Sequence, residues 1–313
     1  MKKKSRIFLG LAAGTAAVGV SLWGLGQILY QRVLKTDKAE KRSGGDAESG
    51  QDISLFYRPV TCQSEDHLTL WGYYRPAEQG HRWAICVHGY RGKPERMHPY
   101  GQAYAKRGYS VLLPALRGHG ASEGTYIGMG WPDRLDIVCW IKWILRKDPE
   151  AEIVLHGVSM GAATVLLAAG ENLPPNVRAV VEDCGYTTAM KELSYVAEHQ
   201  ISPLLVPARI LLSAETRLRA RYRLEDAAPL EAVKKTNLPI LFMHGGKDDF
   251  VPSEMVYQLY EAAKGPKELY VTPKAGHAES ARMAPERYWA KIDAFLQHHW
   301  QDAVEQQHEA GEE

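Results

Sequence analysis

The chain has 313 residues, of which 45% are hydrophobic and 24% charged, and these proportions are typical of globular proteins. Its 38 basic and 37 acidic side chains leave a net charge of +1, so no charge excess favours a nucleic-acid partner. The four cysteines form no CxxC or Cys/His pair, which argues against a zinc site and favours free thiols over disulfide bonds.

The N-terminus has the pattern of a membrane anchor. Three lysines and an arginine lie within the first six residues, and the following stretch from Ile7 to Tyr30 carries no charge. As a helix this stretch would extend about 36 Å, enough to cross the core of a bilayer with some tilt. We favour an uncleaved signal anchor over a cleaved signal peptide, because no Ala-x-Ala site is followed by a polar start. The sequence therefore predicts a transmembrane helix within residues 1–34.

Residues 35–52 show no apolar periodicity and are predicted to be a flexible tether. Basic residues flank both ends of the predicted anchor, so the charge asymmetry discriminates little between its two orientations. Long domains translocate largely regardless of charge. We expect a single-pass protein of the cell membrane with the remainder of the chain on the extracytoplasmic side.

From residue 53 onward, strand-like runs alternate with segments of helical periodicity. Ser54–Thr61 and His67–Arg75 predict an antiparallel opening pair. Six later runs are short and apolar, as expected of strands buried on both faces: Trp83–Val87, Tyr109–Leu113, Glu152–His156, Val177–Val181, Leu238–Met243 and Glu268–Thr272. The predicted helices are Glu95–Lys106, Pro132–Arg146, Met160–Gly170, Ser253–Ala263 and Pro285–Trp300. This alternation predicts an α/β domain over residues 53–300 with a mostly parallel, doubly wound sheet.

One interval breaks the alternation. Residues 186–236 have helical patterns and three prolines but no strand-like run. An insertion at this point would form a helical cap above the carboxyl ends of the strands, where ligands bind in open α/β sheets. The acidic residues 301–313 are predicted to form a frayed tail.

The strongest motif is GVSMG, residues 157–161, which follows the predicted strand EIVLH and begins the predicted helix MGAATVLLAAG. In such a strand–turn–helix the central serine occupies a tight, strained turn. Glycines are needed two positions before and after it, because side chains there would collide with neighbouring elements. Ser159 is therefore the candidate nucleophile, and a plain Gly/Ser helix cap is the alternative.

A serine hydroxyl needs a base to take its proton and a carboxylate to hold that base. The segments HGGKDDFVP (244–252) and KAGH (274–277) follow the last two predicted strands. Both leave carboxyl ends of strands, at the same sheet edge as the nucleophile and in the chain order Ser, Asp, His. His277 is the candidate base. Asp248 is the candidate acid, with Asp249 and Asp183 as alternatives.

An oxyanion hole needs two preorganised N–H donors. The N–H of Met160, directly after the serine, is the first candidate. The second is the N–H of Tyr90 in the segment HGYRG (88–92), with that of Arg91 as the alternative. For His88 we favour a buried structural imidazole over a catalytic one.

Taken in order, HGYRG, LRGHGAS, GVSMG, HGGKDDFVP and AGH resemble the motifs of the α/β-hydrolase superfamily. Within it, the chain resembles bacterial, membrane-anchored serine hydrolases, including serine-aminopeptidase-like members. The resemblance implies triad roles for Ser159, Asp248 and His277, since Asp248 stands three positions before Val251 as in the pattern HGxxDxxVP. Relatives usually carry Asp two positions before the arginine of RGxG, where this chain has Ala115. We expect this difference to affect a loop and not the chemistry.

Together these features predict a serine hydrolase that cleaves small-molecule acyl esters through an acyl-enzyme, as carboxylesterases and lipases do, without a metal or cofactor. The apolar cap segment SPLLVPARILL (202–212) is a candidate lining for an acyl pocket. Amide or peptide hydrolysis and acyl transfer use the same triad and stay open as alternatives. An alternative of another class is a membrane-tethered binding protein without catalytic activity. The sequence leaves the oligomeric state open.

Overall fold

The structure of the chain is a computed structural model, which describes residues 23–36 and 53–309. Residues 1–22, 37–52 and 310–313 lie outside the described residues. Most of the predicted anchor, nearly all of the predicted tether and the end of the predicted tail fall there.

The centre of the fold is an eight-stranded sheet. Its strands are β1 (Arg58–Gln63), β2 (Thr69–Arg75), β3 (Arg82–Val87), β4 (Ser110–Pro114), β5 (Glu152–Val158), β6 (Val177–Asp183), β7 (Ile240–Gly245) and β8 (Lys267–Thr272). They lie in the order β1-β2-β4-β3-β5-β6-β7-β8. β2 is antiparallel to β1 and β4, and all other neighbouring strands are parallel. The predicted opening pair and the predicted mostly parallel sheet are confirmed.

Helices flank the sheet and connect its strands. They are α1 (residues 23–33), α2 (His98–Ala105), α3 (Asp133–Lys147), α4 (Met160–Ala169), α5 (Ala189–Val196), α6 (Arg209–Ala220), α7 (Pro229–Ala232), α8 (Glu254–Ala262), α9 (Ser280–Met283) and α10 (Pro285–Glu309). The largest difference from prediction is at α10, which continues to Glu309 instead of ending at Trp300. The segment QDAVEQQHE after Trp300 contains no Gly or Pro, so nothing in it terminates the helix.

The parallel strands β3 to β7 are buried on both faces, and their side chains alternate between two hydrophobic clusters. In β5, Ile153 and Leu155 belong to the cluster that contains Trp140 of α3, whereas Val154 belongs to the cluster that contains Tyr288 of α10. This alternation follows from the two-residue period of a strand. It explains why the inner parallel strands are mainly apolar in the sequence, and it fixes their register against the helices.

The interval from residue 186 to residue 236 contains α5, α6 and α7, joined by a π turn (Ala197–Ile201) and a 3₁₀ turn (Pro203–Ala208), and no strand. Side chains from α5, α6 and both turns line the same cavity as Ser159. The interval therefore covers the carboxyl edge of the sheet as the predicted cap does.

The part of the predicted anchor that the structure describes packs on the α/β domain. Helix α1 ends at residue 33, and the side chains of Tyr30 and Leu34 are only 5% and 0% exposed. Ile28, on the opposite face of α1 from Tyr30, and Trp23, at the start of α1, are exposed. Across residues 23–36 and 53–309, we find no helix whose length and apolar character would let it cross a bilayer.

Candidate active site

The turn between β5 and α4 holds Ser159 in a strained backbone conformation. Its φ is 58° and its ψ is −122°, values that a residue with a side chain rarely adopts. A Cβ on Gly157 would lie 2.2 Å from the carbonyl oxygen of Gly161, and one on Gly161 would lie 2.1 Å from the carbonyl oxygen of Val87. Only glycine fits at both positions, so the turn can close and project the Ser159 hydroxyl from the carboxyl edge of the sheet.

A line of hydrogen bonds joins Ser159 to two residues of later loops. The Ser159 Oγ lies 2.9 Å from the His277 Nε2, and the His277 Nδ1 lies 2.8 Å from the Asp248 Oδ2. When the Nδ1–H donates to the carboxylate, Nε2 is left to accept the proton of the serine hydroxyl. The structure thus brings the three residues together in an arrangement that can activate a serine nucleophile.

Asp248 is buried, and its carboxylate accepts several hydrogen bonds. Its Oδ1 accepts from the backbone N–H groups of Phe250 and Val251, at 3.0 and 2.9 Å. Burial by itself raises the pKa of Asp248, but the hydrogen bonds from His244 and His277 outweigh burial and lower the pKa to about 2. The carboxylate therefore stays ionised at all pH values near neutrality and can orient the imidazole of His277.

The two alternative acids are placed differently. The side chain of Asp249 is exposed. The Oδ2 of Asp183 accepts a hydrogen bond from the Tyr288 hydroxyl at 2.9 Å, and burial raises the pKa of Asp183 to about 6. The carboxylate that contacts His277 directly is that of Asp248.

The loop after β3 approaches the nucleophile closely. A Cβ on Gly89 would lie only 3.2 Å from the Cβ of Ser159. His88 holds this loop in place, because its Nδ1 lies 2.8 Å from the carbonyl oxygen of Gly89 and its Nε2 accepts the N–H of Leu116 at 3.1 Å. Burial lowers the pKa of His88 to about 3, so its imidazole is neutral and acts as a fixed structural link.

Tyr90 and Met160, the predicted sources of the oxyanion N–H groups, line the same cavity as Ser159. Met160 is the first residue of α4, where backbone N–H groups lack an intrahelical partner and the helix dipole favours negative charge. A negative charge that develops beside Ser159 can therefore be stabilised at this helix terminus.

Ser159 lines a cavity of about 340 Å³. This volume is near the lower end of the range for small-molecule sites. Its lining is mostly apolar. The predicted segment SPLLVPARILL contributes Leu205, Arg209 and Leu212, and α5 contributes Leu193 and Val196. A cavity of this shape and chemistry can hold an alkyl or acyl group against the nucleophile.

Two parts of the lining of this cavity are not predicted from the sequence. Leu29, Arg32 and Val33 of α1 line it, although the sequence predicts that they belong to a membrane anchor. Glu192 of α5 also lines it, is 4% exposed, and has no hydrogen-bond partner for either carboxylate oxygen among the described residues. Nothing in the segment AMKELSYV identifies Glu192 as a site residue, because its role depends on how the cap folds over the cavity.

Although residue 115 is an alanine in this chain, the side chain of Arg117 has acidic partners. Arg117 donates to Asp136 at 2.7 and 2.6 Å and to Asp66 at 2.9 and 3.1 Å. Arg117 is 4% exposed, so these two carboxylates compensate a charge that would be costly to bury alone. They hold the loop of Arg117 in this chain, in which position 115 is an alanine.

One group of side chains within the described residues has the spacing of metal ligands. Cys184, Asp248 and His277 offer ligand atoms within 4.8 Å of one another. Burial raises the pKa of the Cys184 thiol well above its ordinary value, so it is a poor ligand at neutral pH. Asp248 and His277 already form a hydrogen bond with each other. Their arrangement is therefore better explained by the hydrogen bonds that lead to Ser159 than by a metal site.

Comparison with known proteins identifies the family to which this chain belongs. The model of the alpha/beta hydrolase family matches residues 84–291, and the chain belongs to this family. The chain is 29% identical to the uncharacterised YqkD protein of Bacillus subtilis over 304 residues, which cover 94% of this chain and 97% of YqkD.

Solved structures show the same fold. The esterase Pf2001 of Pyrococcus furiosus is similar with a TM-score of 0.65 and 24% identity, over 80% of this chain and 94% of that protein. The acylaminoacyl peptidase of Pyrococcus horikoshii is similar with a TM-score of 0.60 and 21% identity, over 78% of this chain and 41% of that protein. The predicted superfamily and fold class are confirmed.

The adjacent acids Asp248 and Asp249 allow a matched test of the hydrogen-bonded line. We expect Asp248→Asn to lower the turnover of a p-nitrophenyl ester by at least about a hundredfold, because an amide no longer favours the imidazole tautomer that accepts the serine proton. Asp249→Asn should stay within about tenfold of the wild type, as an exposed carboxylate with no role in the transition state. Steady-state kinetics measure both, and thermal unfolding verifies that both variants fold. Equal, mild losses in the two variants would contradict the assignment of Asp248.

Proposed function

We propose that the protein is a serine hydrolase that cleaves acyl esters through an acyl-enzyme intermediate. The observation that carries this proposal is the line from Ser159 through His277 to Asp248, placed at the wall of an apolar cavity. In this proposal Ser159 is the nucleophile, His277 the general base and Asp248 the residue that orients the base.

The reaction proceeds in two halves. His277 Nε2 takes the hydroxyl proton of Ser159 as the Oγ attacks the ester carbonyl, and the N–H groups of Met160 and Tyr90 bind the resulting oxyanion. The tetrahedral intermediate expels the alcohol, which receives the proton from His277. A water molecule then gives a proton to His277 and attacks the acyl-enzyme, and the carboxylic acid leaves as Ser159 regains its proton.

The cavity supports a substrate with a single alkyl chain. Its apolar lining accommodates a hydrocarbon group, and its volume of about 340 Å³ favours one chain over two. Amide cleavage and acyl transfer require the same three residues, and an esterase and a peptidase both have similar folds. The lining of the cavity therefore supports the alkyl chain of the acyl group, and the comparison with anilides below decides between ester and amide. The same line of hydrogen bonds argues against a non-catalytic binding protein.

The test is a series of p-nitrophenyl esters of increasing chain length, with matched p-nitroanilides, on the full chain in detergent. We expect turnover of esters and much slower turnover of anilides. Ser159→Ala should lose several orders of magnitude in turnover, since only binding and oxyanion effects survive the loss of the nucleophile. It should also lose labelling by a fluorophosphonate. Labelling that persisted in Ser159→Ala would refute the nucleophile, and turnover of anilides alone would point to the amide hydrolase.

We also propose that the protein is held at the cell membrane by its N-terminus, with the catalytic domain on the extracytoplasmic side. Residues 7–22 precede α1 and carry no charge, and as a helix they would extend about 24 Å, with lysines before them that can reach the interface. The expected result is that the chain stays in the membrane pellet after an alkaline carbonate wash and is degraded by protease added to spheroplasts. Release by carbonate would refute the anchor, and protection from protease would reverse the orientation.

A further inference from the structure

The segment of residues 23–36 is bound to the α/β domain by its own backbone. The carbonyl oxygen of Leu34 accepts the N–H of Ile127 at 2.7 Å, and the N–H of Thr36 donates to the carbonyl oxygen of Thr125 at 3.2 Å. Leu34 is fully buried. These contacts fix the end of the segment beside the loop that carries Arg117.

The same segment contacts the cap. The Gln27 Nε2 donates to the Glu215 Oε2 of α6 at 2.7 Å, and the Arg219 guanidinium lies 5.1 Å from the centre of the Tyr30 ring. Helix α1 thus bridges the cap and the domain on which the cap rests.

A third set of contacts joins α1 to the predicted oxyanion loop. The Tyr90 hydroxyl donates to the carbonyl oxygen of Val33 at 2.5 Å, and the Arg91 Nη2 donates to that of Arg32 at 2.8 Å. The last carbonyls of a helix have no intrahelical partner. Here, side chains of the oxyanion loop satisfy them, so the end of α1 and this loop hold each other in place.

Leu29 and Val33 stand four residues apart on α1, which places them on one face of the helix. Both line the cavity that contains Ser159. Resting on the proposed function, we propose that residues 23–36 form one wall of the acyl-binding site, and that Leu29 and Val33 set the length of acyl chain that the enzyme accepts. The segment is therefore part of the active site.

The neighbouring residues Leu29 and Ile28 provide the test. Ile28 is 58% exposed and does not line the cavity, so Ile28→Phe is a control with a comparable aliphatic-to-phenylalanine change in the same helix. The probes are alkyl fluorophosphonates with a short and a long chain, applied to the full chain in detergent, and the readout is the rate at which each labels the protein. This readout needs a reactive serine but no knowledge of the natural ester.

We expect Leu29→Phe to slow labelling by the long-chain probe about tenfold or more, because lost space for even one methylene in an apolar pocket has an effect of this size. Labelling by the short-chain probe should stay within about threefold, and Ile28→Phe should leave both rates unchanged. Unchanged rates in Leu29→Phe, or an equal loss with both probes, would overturn the proposal. Absence of labelling in the wild type would instead overturn the proposed function on which it rests.

A separate observation concerns Glu192. Its carboxyl group is buried in the cavity wall, and neither oxygen has a hydrogen-bond partner within the described residues. Burial, together with the nearby charge of Asp248, raises the pKa of Glu192 to about 8. At neutral pH it is an uncharged acid, which has one hydrogen to donate and an oxygen that can accept. A buried donor and acceptor without hydrogen-bond partners destabilise the folded protein unless a ligand forms hydrogen bonds with them.

The position of Glu192 indicates which part of the substrate it meets. Glu192 lies close enough to Asp248 for the charge of Asp248 to raise its pKa, and Asp248 is hydrogen-bonded to His277. The ring of Phe250, which also lines the cavity, lies 4.9 Å from the imidazole of His277. Because His277 gives its proton to the leaving alcohol, the alcohol part lies on the His277 side of the cavity. Building on the proposed function, we infer that Glu192 hydrogen-bonds a hydroxyl group on the alcohol part of the ester. It is a specificity-determining residue for polyol esters.

Two esters of the same acid and nearly the same shape test this inference: glycerol monooctanoate and propyl octanoate, which lacks the two free hydroxyls. We expect the full chain to prefer the glycerol ester in kcat/KM, and Glu192→Leu to reduce this preference about tenfold or more. Glu192→Gln, which can still donate and accept, should keep the preference within about threefold.

If Glu192→Leu changes kcat/KM by the same factor for both esters, the residue has only a structural role and the inference is overturned. A wild type that instead cleaves only esters of amino alcohols would overturn the hydroxyl in favour of an ammonium group. If neither ester reacts although a fluorophosphonate labels Ser159, the proposed ester chemistry fails, and the inference about Glu192 fails with it.

Discussion

The active site depends on the closure of one turn, in which Ser159 takes a positive φ between a buried strand and a buried helix. The closure is possible because backbone atoms occupy the space that side chains on Gly157 and Gly161 would need. Such strain persists only where the surrounding structure enforces it. Here the central strand β5 and the buried helix α4 enforce it, and the loops after β3, β7 and β8 then meet the serine because they leave the same edge of the sheet.

The features that the sequence predicts well are those encoded locally. A strand buried on both faces is apolar along its whole length, so the parallel strands are recognisable within about two residues of their ends. The turn around Ser159 requires specific glycines, and the loops with Asp248 and His277 follow recognisable strands. The choice between Asp248 and Asp249 is less local, because it depends on which carboxylate the backbone N–H groups of Phe250 and Val251 hold against the imidazole.

The features that the sequence does not predict depend on contacts between distant segments. The side chains of Leu29 and Val33 are apolar, as expected both of residues that face lipid and of residues that face a substrate cavity. Hydropathy alone therefore cannot distinguish the two roles. Glu192 gains its properties from burial under the cap, and the partners of Arg117, Asp66 and Asp136, come from other elements. In each case the side chain is ordinary, and its neighbours in the fold give it a role.

In the proposed reaction one cavity, bounded by the domain, the cap and α1, presents an acyl group to Ser159. A crystal structure of the full chain after reaction with a long-chain alkyl fluorophosphonate tests it most directly. We expect phosphorus bonded to the Ser159 Oγ, with the phosphonyl oxygen about 2.7–3.1 Å from the backbone nitrogens of Met160 and Tyr90, and the alkyl chain against Leu29 and Val33. Phosphorus on another residue, or an alkyl chain that leaves the cavity without touching α1, would refute this arrangement.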